Sequence, residues 1–281
     1  PLDISTVAVV TEAAIGYDNA GTFVDYLPTG IEVTVGQPTR YVHMQLGRRN
    51  PSQYPSYGES YGNSARLTVS NGFFTAYLTN LWVGMKENGP KTLTGTLDLR
   101  AATLGPFEVG ANVYIGKDTG EPPYSGGQGT NPYGQGFVYL PTGAVNIASN
   151  LYVGDAGAGS RGWLELFGTT VTVAKKIVVG PTGVITAHVY AASCGLDLQG
   201  SNTNDLTVAP GGRIHLSFEQ PVPRLWGLRM MGDQAAYLEG LRSGGRLTAS
   251  TFNGRAIEIV YRNPYTFVRG PSIPGSVFLA R

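Results

Sequence analysis

Asn80-Leu81-Trp82-Val83-Gly84 recurs down the chain as Asn112-Val113-Tyr114-Ile115-Gly116, as Asn150-Leu151-Tyr152-Val153-Gly154 and as Lys176-Ile177-Val178-Val179-Gly180. A looser copy, Val42-His43-Met44-Gln45-Leu46-Gly47, precedes them. Self-similarity at intervals of a few tens of residues marks a repeat architecture, and this decides the fold class before any local reading does. The steps between the terminal glycines are uneven, so a constant rung carries connections of variable length. Within each copy the first residue suits a stacked corner, the apolar residues point inward, and the glycine turns the chain. Asparagines repeated at one corner can bond to the rungs above and below as a ladder. Because Lys176 takes the fourth place, that ladder should stop there.

Around these phrases lie short runs with period-two alternation, the pattern of a strand with one buried and one solvated side. They include Ala65-Arg66-Leu67-Thr68-Val69, Thr94-Gly95-Thr96-Leu97-Asp98-Leu99, Gly162-Trp163-Leu164-Glu165-Leu166 and Gly212-Arg213-Ile214-His215-Leu216. Turn signals separate them. Leu-Pro-Thr-Gly stands at 27–30 and 140–143, and Gly-Pro-Thr-Gly at 180–183. Proline presets the first turn dihedral and glycine accepts a positive one, so each is a tight turn between strands. Stacking such rungs in parallel buries a continuous core that no single rung could bury.

Two long insertions follow the glycine phrase at equivalent positions. One runs over 48–63 with Tyr54, Tyr57 and Tyr61, the other over 117–135 with Tyr124 and Tyr133. They should leave the same edge of the stack. Tyrosine offers an amphipathic contact surface at low entropy cost, so these five residues are the candidate partner or ligand contacts. Packing of the loops on the wall is the competing reading.

Composition bounds the rest. Charged residues are 14% of the chain and the formal net charge is +1, which gives no electrostatic case for nucleic acid or an anionic membrane. Glycine is abundant at 40 of 281 residues without a Gly-X-Y period, so collagen is excluded. No stretch approaches about 20 uninterrupted apolar residues, so no helical membrane span is expected. Cys194 is the single cysteine and reads as a small buried side chain.

Catalytic signals are weak. A glycan-cleaving site needs clustered carboxylates, and here the acids are scattered. Asp98 and Glu165 do share an outward strand position, which reads first as two solvated charges. His43, His188 and His215 have no metal-ligand spacing, and no nucleophile elbow, phosphate loop or dinucleotide fingerprint is present. No catalytic residue, metal or cofactor is assigned.

Residues 220–245 break the alternation. Asp233 is positioned to cap a helix in which Ala235, Leu238 and Leu241 share a face, with Gly244 to end it. A short amphipathic helix near one end is what a stack of rungs needs to cover its open core. This stretch, Leu228-Arg229-Met230-Met231-Gly232-Asp233, then Tyr237-Leu238-Glu239-Gly240-Leu241, then Gly245-Arg246-Leu247-Thr248-Ala249 and Ala256-Ile257-Glu258-Ile259-Val260-Tyr261, resembles the end module of bacterial exported β-solenoid surface proteins of the PEP-CTERM type. The upstream phrases resemble repeats of the same proteins and of autotransporter-like passenger domains. No long apolar segment with a basic end, the mark of that family's sorting tail, occurs in residues 269–281. The resemblance implies export with the targeting segment removed, a right-handed parallel β-helix, a cell-surface or matrix role, and no catalytic residues.

The reading is therefore an all-β, single-stranded right-handed parallel β-helix with a short capping helix. It divides into an N-terminal strand segment at 1–20, rungs at 21–220 and an end module at 221–281. The terminal strands, with Ile4, Val7 and Val9 at one end and Val277 and Leu279 at the other, find no place in the repeat and could add to a neighbouring copy's sheet. A head-to-tail contact of that kind builds a filament if it does not close. The expected function is thus a non-enzymatic, extracellular or cell-surface structural subunit that partners with itself. An adhesin or surface-polysaccharide binder using the tyrosine loops is the first alternative, and a polysaccharide-degrading enzyme the second.

Overall fold

The structure is a computed structural model that describes residues 8–10, 13–15, 24–27, 29–48, 64–85, 93–117, 134–154, 160–190, 194–220, 225–252 and 254–271. Its strands join in one sheet whose pairings are almost all parallel. The chain visits three ladders in rotation, so a strand generally pairs not with its neighbour in sequence but with the equivalent strand of the next rung.

The first ladder runs through Val24–Tyr26, Ala65–Thr68, Gly95–Asp98, Gly134–Leu140, Arg161–Phe167, Gly183–Val189, Arg213–Phe218 and Leu247–Thr251. The second runs through Ala8–Val10, Glu32–Val35, the middle of Ala65–Met85, the end of Leu93–Val109, Gly143–Ile147, Thr169–Val173, Gly195–Leu198 and Trp226–Met231. The third runs through Ala13–Ile15, Val42–Arg48, the end of Ala65–Met85, Val113–Ile115, Asn150–Val153, Lys176–Val179 and Leu206–Val208. The recurrent phrase is thus the third-ladder strand of each rung.

Alternation is the reason these segments settle as they do. Gly134–Leu140, Arg161–Phe167 and Gly183–Val189 bury every second residue. Their inward side chains join those of the other two ladders in one apolar cluster, with Leu97 and Leu166 from the first, Phe74 and Val171 from the second, and Leu81 and Val153 from the third. At about 25 cal/mol per Å² of apolar surface, this shared burial is the main stabilising term. Ser70-Asn71-Gly72 forms a corner inside the long strand Ala65–Met85. Asn71 adopts φ 53° there, and the pairing register shifts around it.

The end near the C-terminus is covered. Helix α1 (Ala235–Ser243) buries Leu238 and Leu241 against the core. Its start is one residue later than a cap at Asp233 would give. The Gln234 N–H donates to Thr266 Oγ1 at 2.8 Å, while the Asp233 carboxylate accepts from the Ala235 N–H at 3.3 Å. At the other end of the helix Gly244 stays at φ −80° and the left-handed turn falls on Gly245 at φ 69°. The Tyr237 hydroxyl donates to the Leu206 carbonyl, and Arg246 Nη1 to that of Val208 at 3.0 Å. Both carbonyls belong to the last strand of the third ladder, so the helix segment satisfies an edge that would otherwise be bare. The second ladder ends differently. Tyr265–Arg269 pairs antiparallel with Trp226–Met231 and with Glu258–Arg262.

At the opposite end the N-terminal run, which has no partner in the sequence reading, has one in the fold. Ala8, Val9 and Val10 pair in parallel with Val33, Thr34 and Val35. Val9 is thus in a strand of the second ladder. Ile4, Val7, Val277 and Leu279 lie outside the described residues.

Candidate functional site

A corner of interlocked glycines sets where the connections leave. Gly47, Gly84, Gly116 and Gly154 stand within a residue of the ends of their third-ladder strands at φ between 61° and 64°, a region that a side chain resists. Each also lies against the start of a first-ladder strand two rungs further along the chain. A Cβ on Gly84 would stand 1.8 Å from the Gln135 carbonyl oxygen, and one on Gly116 1.8 Å from that of Arg161. Gly95, Gly136, Gly162 and Gly183 meet this column from the first ladder. A Cβ on Gly162 would lie 2.1 Å from the Gly154 nitrogen. The two columns mesh, and nothing larger than hydrogen fits between them. At Gly180 the connection is only Pro181 and Thr182 before Gly183, closed by a Gly183 N–H to Gly180 O bond of 3.0 Å. The two tyrosine-rich insertions, 48–63 and 117–135, both depart at this same corner, whereas connections such as 199–205 leave from other corners. Tyr54, Tyr57, Tyr61, Tyr124 and Tyr133 lie outside the described residues, but both of their insertions begin directly after a glycine of this column.

Beside the corner, the outward side of the third ladder carries two columns. Asn112 donates its backbone N–H to Asn80 Oδ1 at 3.1 Å. Asn150 donates to Asn112 Oδ1 through its backbone N–H at 3.3 Å and its side-chain amide at 2.8 Å. This is the asparagine ladder that the repeat implies, and Lys176 follows it in register with Asn150. Two residues along the strand, Trp82, Tyr114 and Tyr152 stack with interplanar angles of 6° and 8°. Tyr114 and Tyr152 lie 4.9 Å apart centre to centre and Trp82 lies 6.4 Å from Tyr114, so the rings take up part of one another's faces. Lys117 Nζ lies 4.5 Å from the Tyr114 ring centre and 4.9 Å from that of Tyr152.

The first ladder gathers most of the ionisable groups. Asp98 and Glu165 do share an outward column, with Tyr139 in register between them. Asp98 is not a solvated charge, however. It is 6% exposed and is clamped by Arg100, whose Nε and Nη2 donate at 2.9 and 2.7 Å. Burial alone would raise its pKa, but the bonds from Arg100 outweigh that and lower it. The Arg100 guanidinium also lies 4.5 Å over the Tyr139 ring.

His188 is the centre of a second group. Its Nε2 meets Glu165 Oε1 at 2.9 Å and its Nδ1 meets Glu219 Oε1 at 2.8 Å. The ring stacks on Phe167 at 4.7 Å and lies parallel to Tyr190 at 6.1 Å. Carboxylates can only accept, so two of them on the two ring nitrogens require the doubly protonated imidazolium. Burial works against that charge, yet the two carboxylates overcome it and raise the His188 pKa. His215, one column away, goes the other way. Burial, then Arg213 and His188, lower its pKa, and its Nδ1 meets Thr248 Oγ1 at 3.0 Å. Reading the sequence alone does not find the Glu165–His188–Glu219 group, because its members come from three rungs separated by unequal connections. The ring column was detectable by aligning the third position of the phrase.

The second ladder is also internally paired. Arg229 Nε donates to Asp197 Oδ1 at 2.8 Å and its guanidinium sits between the rings of Trp226 and Tyr265. The Tyr41 hydroxyl donates to Glu108, and that bond, with burial, pushes its pKa up to about 12. Cys194 is fully buried, as a small core side chain should be. Among the described residues no cluster of three or more His, Cys, Asp or Glu is arranged to hold a metal ion, and no helix is long and apolar enough to cross a membrane.

Comparison with family models, curated proteins and solved structures gave no match.

Proposed function

We propose that the chain is a right-handed parallel β-helix that serves as a non-enzymatic extracellular or cell-surface rod, binding a surface polysaccharide along one edge through its tyrosine-rich insertions. The observation that carries this reading is the single glycine corner from which the insertions depart. Successive strands of a ladder lie about 4.8 Å apart, so insertions leaving one corner emerge as a row along the stacking direction. Such a row suits a long, repetitive partner better than a compact one. The charged clusters on the outward sides are consumed in mutual pairing, which favours a rigid scaffold over a reaction centre. Replacing Tyr54, Tyr57, Tyr124 and Tyr133 together with Ala should abolish retention on immobilised surface polysaccharide and leave the unfolding transition unchanged. Retention equal to that of the parent chain would refute this role for the insertions.

A second reading, a filament or surface-layer subunit assembled by strand addition, is favoured by the position of Ala8–Val10. It is the outermost strand of its ladder among the described residues, with one edge on Glu32–Val35. Deleting residues 1–13 should then yield folded monomers that no longer assemble, as judged by negative-stain microscopy. Unchanged polymers would exclude the exchange.

A further inference from the structure

We infer that the outward side of the third ladder is a docking strip for an acidic polysaccharide lying along the stacking direction. This rests on the polysaccharide-binding role proposed above and names the class of chain bound.

Lys175 and Lys176, at the entry to the strand Lys176–Val179, are exposed, and neither has a side-chain partner among the described residues. Arg40 is exposed in the turn that leads into Val42–Arg48, four strands earlier in the same ladder. Lys117 lies between them, its ammonium over the rings of Tyr114 and Tyr152. Among the described residues no carboxylate projects from this ladder. Asp205, just before its last strand, is 9% exposed and turns its carboxylate to the Asn202 N–H at 2.9 Å. Across the glycine corner the exposed Arg161 and Arg213 continue the same sign. The first and second ladders differ, because there Asp98 and Asp197 are each paired with an arginine, and Glu165 and Glu219 share His188.

Shape and chemistry select the ligand. Four strand steps of about 4.8 Å make a strip ~19 Å long, which fits an extended polymer rather than a small anion. Single-stranded nucleic acid binds such strips by stacking its bases on open ring faces. Here the rings of Trp82, Tyr114 and Tyr152 take up part of one another's faces, and Lys117 lies over two of them. Carboxylate-bearing sugars pair with cations without needing open ring faces, and Lys175, Lys176 and Arg40 supply those cations.

The test is affinity electrophoresis of the full chain through gels containing polygalacturonate, its carboxyl-reduced neutral form, or single-stranded DNA at about 150 mM salt, where weak screening-sensitive attraction is suppressed. Retardation by polygalacturonate alone is expected, with at least a tenfold loss of affinity in the K175Q/K176Q double variant and no change in its unfolding. Equal retardation by the neutral polymer would overturn the acidic class while leaving the polysaccharide-binding role intact. Retardation by none of the three would count against both. Equal retardation by DNA would reduce the strip to a generic polyanion surface. A K175Q/K176Q variant that binds like the parent would remove these lysines from the site and overturn the inference.

Discussion

Replacing Gly116 with Ala tests the corner most sharply, and Gly245 supplies its control. Both glycines adopt left-handed dihedrals, φ 63° and 69°. They differ in what surrounds them. A Cβ on Gly245 meets nothing within 4 Å, whereas one on Gly116 would stand 1.8 Å from the Arg161 carbonyl oxygen, 2.3 Å from its carbon and 2.7 Å from the Gly162 nitrogen. The left-handed conformation costs an L-residue about 1–2 kcal/mol. Loss of unfolded-state freedom offsets roughly 0.4–1 kcal/mol of that. Gly245→Ala should therefore destabilise by only about 1 kcal/mol. Gly116→Ala adds a clash with backbone that cannot move freely, because Arg161–Phe167 is paired on both sides. Moving it forfeits ladder bonds worth about 1 kcal/mol each, so the total should reach about 4 kcal/mol, at the severe end for one substitution. Urea unfolding followed by far-ultraviolet circular dichroism measures both variants. Equal losses at the two glycines would refute the close approach and, with it, the meshed corner.

Other sites give independent tests. The His188 pKa is raised in the fold, so its contribution should be fully present below the unfolded value of about 6.5 and be lost as pH rises through the folded value. A pH series of urea midpoints should show that decline, and His188→Gln should flatten it. Arg229→Ala would leave Asp197, which is 3% exposed, as a buried unpaired charge, and a loss of about 3 kcal/mol is expected. Removing both partners should recover part of that stability, and a double-mutant cycle with no coupling would count against the pair. Asn112→Ala removes an acceptor of two bonds from Asn150, so it should cost about 2 kcal/mol, against about 1 for Asn80→Ala, which removes an acceptor of one from Asn112. Thermal melts that rank Asn80 above Asn112 would contradict the ladder.

The rungs were legible in the sequence because their signals are local. Period-two burial, a glycine at the strand end and an asparagine at the corner each act over a few residues, so aligning the phrase at 80, 112 and 150 aligns the structure. The shared departure point of the insertions was legible for the same reason. Contacts between rungs were not, since the connections differ in length and the register is set by the stack. Nothing near Glu165 in the sequence announces that His188 faces it, nor that Arg100 folds back to bury Asp98. The helix start moved for a similar reason, because Thr266, from a strand well downstream, takes the Gln234 N–H. The Ala8–Val10 pairing was likewise obscured. That run matches no phrase, yet it meets Val33–Val35 as one more strand of the second ladder.

The proposed function requires that a constant rung carries separable insertions and that binding resides along the edge they leave. The chain contains its own template for the decisive experiment, since Gly180-Pro181-Thr182-Gly183 closes the corner with two residues. Replacing residues 117–135, between Gly116 and Gly136, with Pro-Thr should leave a cooperative unfolding transition close to that of the parent while polysaccharide retention is lost. A chain that no longer folds would show that the insertion belongs to the rung, and a folded chain that still binds would place the function elsewhere.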